Sequence, residues 1–168
     1  MNIVACDAQH VDKLTDLFDG LSERDLTLIK EDLSDPDAVR AWVGRPGQQW
    51  VALDGSGIVG YAAVRTLPEW SNHVGELRLV VDPTRRSGGV GRTLARYALV
   101  EALRAGHRKL VVELAADQEN ALAMFSSLGF VARRCCGTTS GIATVSSTTW
   151  SCWRTSSTAR GRAWTPSA

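Results

Sequence analysis

Glycines and arginines cluster directly after an apolar, strand-like run in the middle of the chain. The run ends at Asp82-Pro83, and the following turn contains Arg85, Arg86, Gly88, Gly89, Gly91 and Arg92. Backbone N–H groups exposed at the N-terminus of a helix bind anions, and glycine lets an anion approach the backbone closely. Because the arginines add positive charge, the turn predicts a site for a diphosphate.

Two common phosphate-binding loops do not fit this turn. No Lys-Ser or Lys-Thr pair follows the glycines, which excludes a P-loop. Gly89-x-Gly91 is followed by Thr93 and Leu94 instead of a third glycine, which excludes the dinucleotide-binding fingerprint. On the glycines alone, a turn that binds no ligand remains the simpler alternative.

The elements that would position this turn alternate between helices and strands. Apolar runs predict strands over residues 3–6, 49–53, 58–65, 76–81 and 109–114. Helical spacing and capping residues predict helices within residues 7–21, 22–33, 36–42, 88–105 and 120–128. This order predicts an α/β (α+β) fold in which helices flank one sheet.

The segment from residue 76 to residue 130 resembles the GNAT (Gcn5-related N-acetyltransferase) superfamily. The family signature, Arg/Gln-x-x-Gly-x-Gly/Ala, is matched by Arg86, Gly89 and Gly91. Residues 76–83, 110–113 and 120–130 are similar, in the correct order and spacing, to the family's fourth strand, fifth strand and the helix and strand that follow. Residues 1–65 fit the family less specifically. The resemblance implies a mixed, mostly antiparallel central sheet flanked by helices.

The resemblance also implies acetyl-CoA as cosubstrate and no metal. Backbone amides of the turn and of the following helix would hold the pyrophosphate, while the pantetheine arm would pair with the strand over residues 79–81. A backbone N–H near Val80 would polarise the thioester carbonyl for direct attack by a primary amine. The cofactor-binding residues implied in this way are Leu79, Val80, Val81, Arg86, Ser87, Gly88, Gly89, Val90, Gly91, Arg92, Asn120 and Phe125.

The attacking amine must lose a proton, so the reaction requires a base. Glu76 is the predicted catalytic residue, because many family members carry a glutamate at this strand position. The alternative for Glu76 is a solvated carboxylate at the end of a strand. Glu113 is the second candidate, with a salt-bridged strand carboxylate as its alternative role.

Two positions near the end of the resemblance affect the chemistry. Many family members place a tyrosine where this chain has Phe125, and that tyrosine protonates the departing thiolate. Without a hydroxyl there, the thiolate leaves unprotonated, solvent or another group protonates it, or the chain binds the cofactor without turnover. Asn120 matches the asparagine that helps to hold the pantetheine, and an ordinary helix cap is its alternative role.

Composition excludes several other functions. The chain has 168 residues, 44% hydrophobic content and a formal net charge of +1, so one globular domain is expected without a nucleic-acid or membrane partner. No apolar run is long enough to cross a membrane, and the N-terminus does not have the layout of a signal peptide, which predicts a cytoplasmic protein. The four cysteines form no CxxC pair, so no metal site is expected. A homodimer is one possible assembly.

The composition of the chain changes after Arg134. Residues 135–168 contain no Leu, Asp, Glu, Lys or Phe, but fifteen Ser or Thr, three Trp and three Cys. One interpretation is a disordered tail, although such tails are depleted in Trp and Cys. A second hypothesis is a reading-frame shift, because GC-rich codons read one base earlier give two apolar runs around an Asp-Gly turn.

We therefore divide the chain into a GNAT domain over residues 1–133 and an atypical tail over residues 134–168. Since the family's last two strands form a hairpin in this region, we expect that hairpin to be lost or altered. The chain as written should then have an incomplete sheet.

The function implied by the resemblance is transfer of an acetyl group from acetyl-CoA to a primary amine. The acceptor would be a small molecule, or a lysine or N-terminus of a protein. The alternative is a catalytically weak or silent module that binds acyl-CoA. An acidic cluster could attract a cationic acceptor, although charged helix faces are usually only solvated; its members are Glu23, Asp25, Glu31, Asp32, Asp35 and Asp37.

Overall fold

The computed structural model describes residues 1–29, 33, 35–55, 57–115, 117–134 and 142–147. Its strands are β1 (Asn2–Ala5), β2 (Gln48–Asp54), β3 (Gly57–Thr66), β4 (Val74–Val81), β5 (Lys109–Ala115), β6 (Phe130–Arg134) and β7 (Ile142–Ser147). Its helices are α1 (Val11–Asp19), α2 (Glu23–Ile29), α3 (Pro36–Val43), α4 (Val90–Arg104) and α5 (Glu119–Ser127). Glu31, Asp32 and the three tail tryptophans lie outside the described residues.

The seven strands form one sheet in the order β1-β2-β3-β4-β5-β7-β6. Every neighbouring pair is antiparallel except β4 and β5, which are parallel. The parallel pair requires a crossover connection, and α4 supplies it. This arrangement confirms the predicted mixed, mostly antiparallel sheet.

Apolar side chains cover both faces of the sheet. One core contains α4 and α5 packed on one face, and Leu94, Ala98 and Phe125 are almost completely buried there. The other contains α1 and α3, with Phe18 and Trp42 buried against the opposite face. Successive residues of a strand point to opposite faces, so each strand contributes to both cores. The predicted flanking of the sheet by helices is therefore confirmed.

Local capping signals place the helices where the sequence predicts them. The Asp35 side chain accepts a hydrogen bond from Asp37 N–H, and Pro36 occupies the first position of α3. Gly106 and Gly129, which follow α4 and α5, have φ of +95° and +88°. Glycines in this left-handed conformation commonly end helices, as the sequence predicts here.

The C-terminal hairpin, which the sequence predicts to be lost or altered, is present and is therefore not lost. β7 pairs antiparallel with β6, from Phe130↔Ser147 to Arg134↔Ala143, and also with β5, from Val111↔Ser146 to Ala115↔Ile142. Residues 142–147 read Ile-Ala-Thr-Val-Ser-Ser, and the β-branched residues among them favour a strand. Because backbone hydrogen bonds join the strands whatever their side chains, the unusual composition does not prevent pairing, and the sheet is not incomplete.

Within the described ranges, none of the helices combines the length and the apolar character required to traverse a bilayer.

Candidate functional site

A cleft opens where β4 and β5 diverge. The two strands pair only from Val74↔Lys109 to Glu76↔Val111, although β4 continues to Val81 and β5 to Ala115. The resulting cleft has a volume of about 750 Å³ and is lined by both strands, by α2 and α5, and by the turn before α4. The divergence exposes the backbone of β4 beyond Glu76 to the cleft.

The hydrogen bonds of β4 alternate between its two neighbours. Leu67 N–H donates to Val74 O, and Asp82 N–H donates to Val59 O, so the even-numbered residues of β4 are the ones bonded to β3. The odd-numbered residues Leu79 and Val81 direct their N–H and C=O groups into the cleft, whereas Leu77 lies where the pairing with β5 ends, at Glu76↔Val111.

This alternation bears on the expected backbone N–H near Val80. Its N–H faces Tyr61 on β3, its register partner, and not the cleft. Of the backbone N–H groups near Val80, those of Leu79 and Val81 are the ones directed into the cleft. The direction of these N–H groups depends on the register with β3, which the sequence of β4 alone does not specify.

The turn after β4 presents unpaired N–H groups to the cleft. Asp82 begins the turn by accepting hydrogen bonds from the N–H and the hydroxyl of Thr84, at 2.8 and 2.7 Å. The first hydrogen bond of α4 runs from Thr93 N–H to Gly89 O. The three preceding N–H groups, those of Val90, Gly91 and Arg92, consequently have no acceptor within the helix.

Two residues of the turn have left-handed backbones. Gly89, the residue before α4, has φ of +81°, and Ser87 has φ of +66°. Glycine adopts this conformation without strain, whereas a serine there is uncommon and costs roughly 1 kcal/mol. The turn is thus held in a shape in which successive N–H groups converge at the positive end of the α4 dipole.

Packing and backbone conformation also require glycine at two positions of the turn. A Cβ on Gly91 would lie 3.3 Å from Val81 Cγ2 and 3.6 Å from Met124 Sδ, so this glycine lets α4 pack tightly against β4. A Cβ on Gly89 would meet no atom within 4 Å, and its need for glycine comes from its φ. The sequence indicated only the close approach of an anion at these glycines, and the structure adds a separate reason at each.

The three arginines of the turn have separate partners. Arg86 lies 2.9 Å from Asp25 of α2 (Nη2 to Oδ2), and its Nε donates to Val81 O at 3.4 Å. Arg92 donates to Ser127 of α5 at 3.0 Å, and both Arg86 and Arg92 line the cleft. Arg85 instead pairs with Asp54 at the end of β2, at 3.2 Å, away from the cleft.

The partners of Asp25 favour the ionised form of its carboxyl. Burial acts to raise the pKa of its carboxyl, but hydrogen bonds from Ser22 and Arg86 outweigh burial and hold the pKa below its ordinary value. Ser22 Oγ donates to Asp25 Oδ2 at 2.7 Å. The carboxylate therefore stays charged opposite Arg86 at neutral pH.

The two candidate bases lie on the same face of the sheet, on opposite sides of the cleft. Glu76 extends from β4 toward the side covered by α1, α2 and α3, with its Oε1 3.5 Å from Arg78 Nε. On β5, Leu110, Val112 and Leu114 are buried in the other core, so the alternating Glu113 faces the same side as Glu76. Both carboxylates line the cleft.

The wall formed by α5 contains the last two predicted residues. Asn120 is exposed to the cleft at the second position of α5, and Gln118 occupies the N-cap, so the alternative that Asn120 caps this helix is wrong. Phe125 is 1% exposed and packs edge-to-face on Phe130 with ring centroids 5.1 Å apart. It borders the cleft from within the core.

The structure adds a wall that the sequence did not assign to the site. Leu21, Ile29 and Trp42 line the cleft from the side of α1–α3, and Trp42 donates from Nε1 to the hydroxyl of Tyr61 at 2.8 Å. Helical spacing identified the first two as apolar helix positions. Nothing in that spacing indicated which of them reach the cleft.

Comparison with known proteins places this geometry in a family. The sequence model described as "Acetyltransferase (GNAT) family" matches residues 14–130. N-acetyltransferase 8F1 of Rattus norvegicus is 27% identical over 107 residues, which are 62% of this chain and 48% of that protein. The chain therefore matches about half the length of this relative.

Solved structures share the fold at low sequence identity. A ribosomal-protein-alanine N-acetyltransferase from Brucella melitensis has a TM-score of 0.75 at 23% identity, covering 87% of this chain and 97% of that one. A putative acetyltransferase from Salmonella typhimurium, solved with its cofactor acetyl-CoA, has a TM-score of 0.69 at 18% identity, covering 87% and 92%. Since the family model matches well over half of the residues, this chain belongs to the acetyltransferase (GNAT) family of enzymes.

Proposed function

We propose that this chain transfers an acetyl group from acetyl-CoA to a primary amine, by direct attack within a ternary complex. The observation that carries the proposal is that two surfaces able to bind a ligand, one on β4 and one on the turn before α4, adjoin each other. The unpaired edge of β4 ends directly at the turn whose N–H groups have no acceptor. Acetyl-CoA has matching parts, an arm with amide groups and a diphosphate. The Salmonella neighbour, solved with acetyl-CoA, supports the same assignment.

On the donor side, the backbone carries most of the binding. N–H and C=O groups of Leu79 and Val81 would pair with the arm as an added strand does. The N–H groups of Val90, Gly91 and Arg92 would hold the diphosphate at the α4 N-terminus, where the helix dipole favours negative charge. Asn120, which is exposed at the cleft, would bind the arm from the other wall.

The reacting carbonyl would lie beside β4, where a fixed N–H can polarise it. Leu79 N–H is our choice for this donor, because it points into the cleft midway along the unpaired part of β4. A backbone donor stabilises the developing oxyanion without reorganising, since the sheet already holds it in place. Val80 would contribute only as part of the strand that positions Leu79.

On the acceptor side, Glu76 would remove the proton of the amine, directly or through a water molecule. Its carboxylate faces the part of the cleft lined by Leu21, Ile29 and Trp42. An acceptor approaching from that side would reach the thioester from the face opposite α5. Glu113 is the second candidate, because it lies on the same face across the cleft. The acceptor is a small-molecule amine, or a protein lysine or N-terminus, and the proposed location is the cytoplasm.

The thiolate of coenzyme A would leave without a protein acid at position 125. Phe125 has no hydroxyl, and a thiol with an ordinary pKa of about 8.5 is a tolerable leaving group as the anion. Solvent in the open cleft can protonate it afterwards. In this arrangement, turnover does not require a general acid from the protein.

The test is release of the free thiol from acetyl-CoA across a panel of small amines, polyamines and peptides with free N-termini. Amine-dependent thiol release with formation of the acetylated amine supports the proposal. Calorimetry with coenzyme A is run on the same material. If the folded protein does not bind coenzyme A, the proposal is refuted.

The second candidate function is an acyl-CoA-binding module without turnover. The absence of a hydroxyl at the buried Phe125 favours it. Binding of acetyl-CoA together with no thiol release for any amine would support this module and count against the enzyme. Amine-dependent release at any member of the panel would exclude it.

A further inference from the structure

Helix α2 is attached to β4 and to the turn before α4 by two arginines. Near its first turn, Asp25 pairs with Arg86 of the turn before α4, at 2.9 Å. At its last residue, Ile29 O accepts a hydrogen bond from Arg78 of β4, at 3.5 Å. Leu26 and Ile29 of α2 are partly buried against the core that contains α1 and α3, and these polar contacts add to that packing. The position of α2 therefore depends on both kinds of contact.

The Asp25 carboxylate is fixed in one orientation. Ser22 Oγ donates to it at 2.7 Å and accepts from Asp25 N–H at 3.2 Å, and the side chain is 17% exposed. Ser22 and Asp25 thus join the start of α2 into a small rigid unit. Arg86 reaches this unit from the turn.

Arg86 has more N–H donors than its contacts with Val81 and Asp25 use. Its Nε bonds Val81 O and its Nη2 faces Asp25, while a guanidinium offers five N–H donors. The same side chain can therefore contact Asp25 and a phosphate oxygen together. It also adjoins Ser87, whose φ of +66° is a strained conformation that the surrounding contacts must maintain.

We propose that Asp25 is a positioning residue that couples the diphosphate turn to α2, so that binding of coenzyme A orders the acceptor-side wall of the cleft. The inference rests on the proposed function, because it requires the turn to bind the diphosphate. A bound diphosphate fixes Arg86, which then holds Asp25 and the helix that carries it. Coupling between two sites is reciprocal, so a helix held by Asp25 also strengthens coenzyme A binding.

A simpler electrostatic role for Asp25 predicts the opposite result. A carboxylate near an anion site repels the anion and neutralises Arg86, so its removal would tighten coenzyme A binding. Positioning by Asp25 instead predicts weaker binding when the carboxylate is removed. The direction of the change in Kd separates the two roles.

The experiment compares the full-length chain with Asp25→Asn, by calorimetry with coenzyme A and by hydrogen exchange of peptides covering residues 23–29. In the unsubstituted chain, coenzyme A should slow exchange in α2. In Asp25→Asn, this protection should disappear and Kd should rise about two- to fivefold, the range for a partly exposed ion pair. Asp37→Asn is the matched control, since its carboxylate pairs with Arg40 on α3, and it should retain both properties.

Three outcomes would contradict the proposal. Lack of coenzyme A binding by the unsubstituted chain would refute the proposed function and this inference with it. Normal binding with no protection of α2 would refute the coupling alone. So would an unchanged or lower Kd in Asp25→Asn. Should that variant unfold, Ser22→Ala, which frees the Asp25 carboxylate from its hydroxyl partner, must reduce the protection of α2 for the proposal to stand.

Discussion

Glu76 and Arg78 form an ion pair on the acceptor face of β4, with 3.5 Å between Oε1 and Nε. The two side chains are 22% and 24% exposed, and both line the cleft. Arg78 also lies 5.9 Å from the centre of the Trp42 ring. The candidate base is therefore held by a guanidinium that is itself held by α2 and α3.

Glu76→Gln should lower kcat by about a hundredfold or more, the contribution expected of a general base. Glutamine keeps the shape of the side chain but does not accept the proton. The affinity for acetyl-CoA should stay within about twofold, because the donor site is formed by backbone groups of β4 and the turn. Steady-state kinetics and calorimetry measure the two quantities.

Glu113→Gln is the matched control for this prediction, since Glu113 lies on the same face across the cleft. An unchanged kcat in Glu76→Gln would remove Glu76 from the role of base. A large loss of kcat confined to Glu113→Gln would transfer the role to that residue.

Gly89→Ala should destabilise the protein and weaken coenzyme A binding together. The left-handed φ of +81° costs an alanine roughly 1 kcal/mol, and relief of that strain would turn the adjacent N–H groups away from the cleft. Thermal unfolding and calorimetry report the two effects. Ser87→Gly provides the contrast, because glycine suits its φ of +66°, and its Tm should be unchanged or higher. Equal Tm values for Gly89→Ala and the unsubstituted chain would contradict the strain argument.

Gly75→Ala should reduce the free energy of unfolding by about 1–3 kcal/mol, the usual cost of overpacking a core. Gly75 lies where β4 and β5 still pair, and a Cβ there would lie 2.7 Å from Leu110 Cδ2 and 2.9 Å from Val64 Cγ1. Urea denaturation provides the measurement. Gly57→Ala is the control, since a Cβ there meets no atom within 4 Å, and it should change stability by less than about 0.5 kcal/mol. Similar losses in the two variants would contradict the packing argument.

The stabilisation contributed by Asp25 should depend on pH with a defined sign. Its folded-state pKa is lowered, so the contribution is complete above the ordinary aspartate pKa of about 3.9 and is lost as the pH falls through the folded value. The difference in unfolding free energy between the unsubstituted chain and Asp25→Asn should therefore shrink as urea denaturation is moved from neutral to acidic pH. A difference that grows toward acidic pH would have the wrong sign.

Cys6 should react slowly with thiol reagents in the folded protein. Burial, together with the charge of Asp7, raises the pKa of its thiol to about 12, and the thiolate is the reactive form. At pH 8 we expect alkylation roughly a thousandfold slower than for an ordinary cysteine, on the ratio of thiolate populations. Peptide mapping after iodoacetamide treatment isolates Cys6 from the other cysteines. Rapid labelling under native conditions, at the rate found in urea, would contradict the prediction.

Short-range signals in the sequence predicted most of the elements and the turn. Asp35-Pro36 begins α3 and Gly106 follows α4 because capping depends on neighbouring residues. The spacing of Arg86, Gly89 and Gly91 identified the turn, since it lies within a few residues of one helix end. Loss of the hairpin, one of the two outcomes expected from the composition of the tail, does not occur, because backbone hydrogen bonds decide whether the strands pair.

Only the tertiary structure decided which groups face the cleft. The N–H of Val80 points away from it because the register with β3, formed by a separate segment, fixes the direction of each hydrogen bond of β4. Arg86 meets Asp25, and Glu76 faces Trp42, because three helices fold over one face of the sheet. Local sequence thus determined backbone conformation within each element. Contacts between residues far apart in the chain depend on how those elements pack, and no periodicity within a single element specifies that packing.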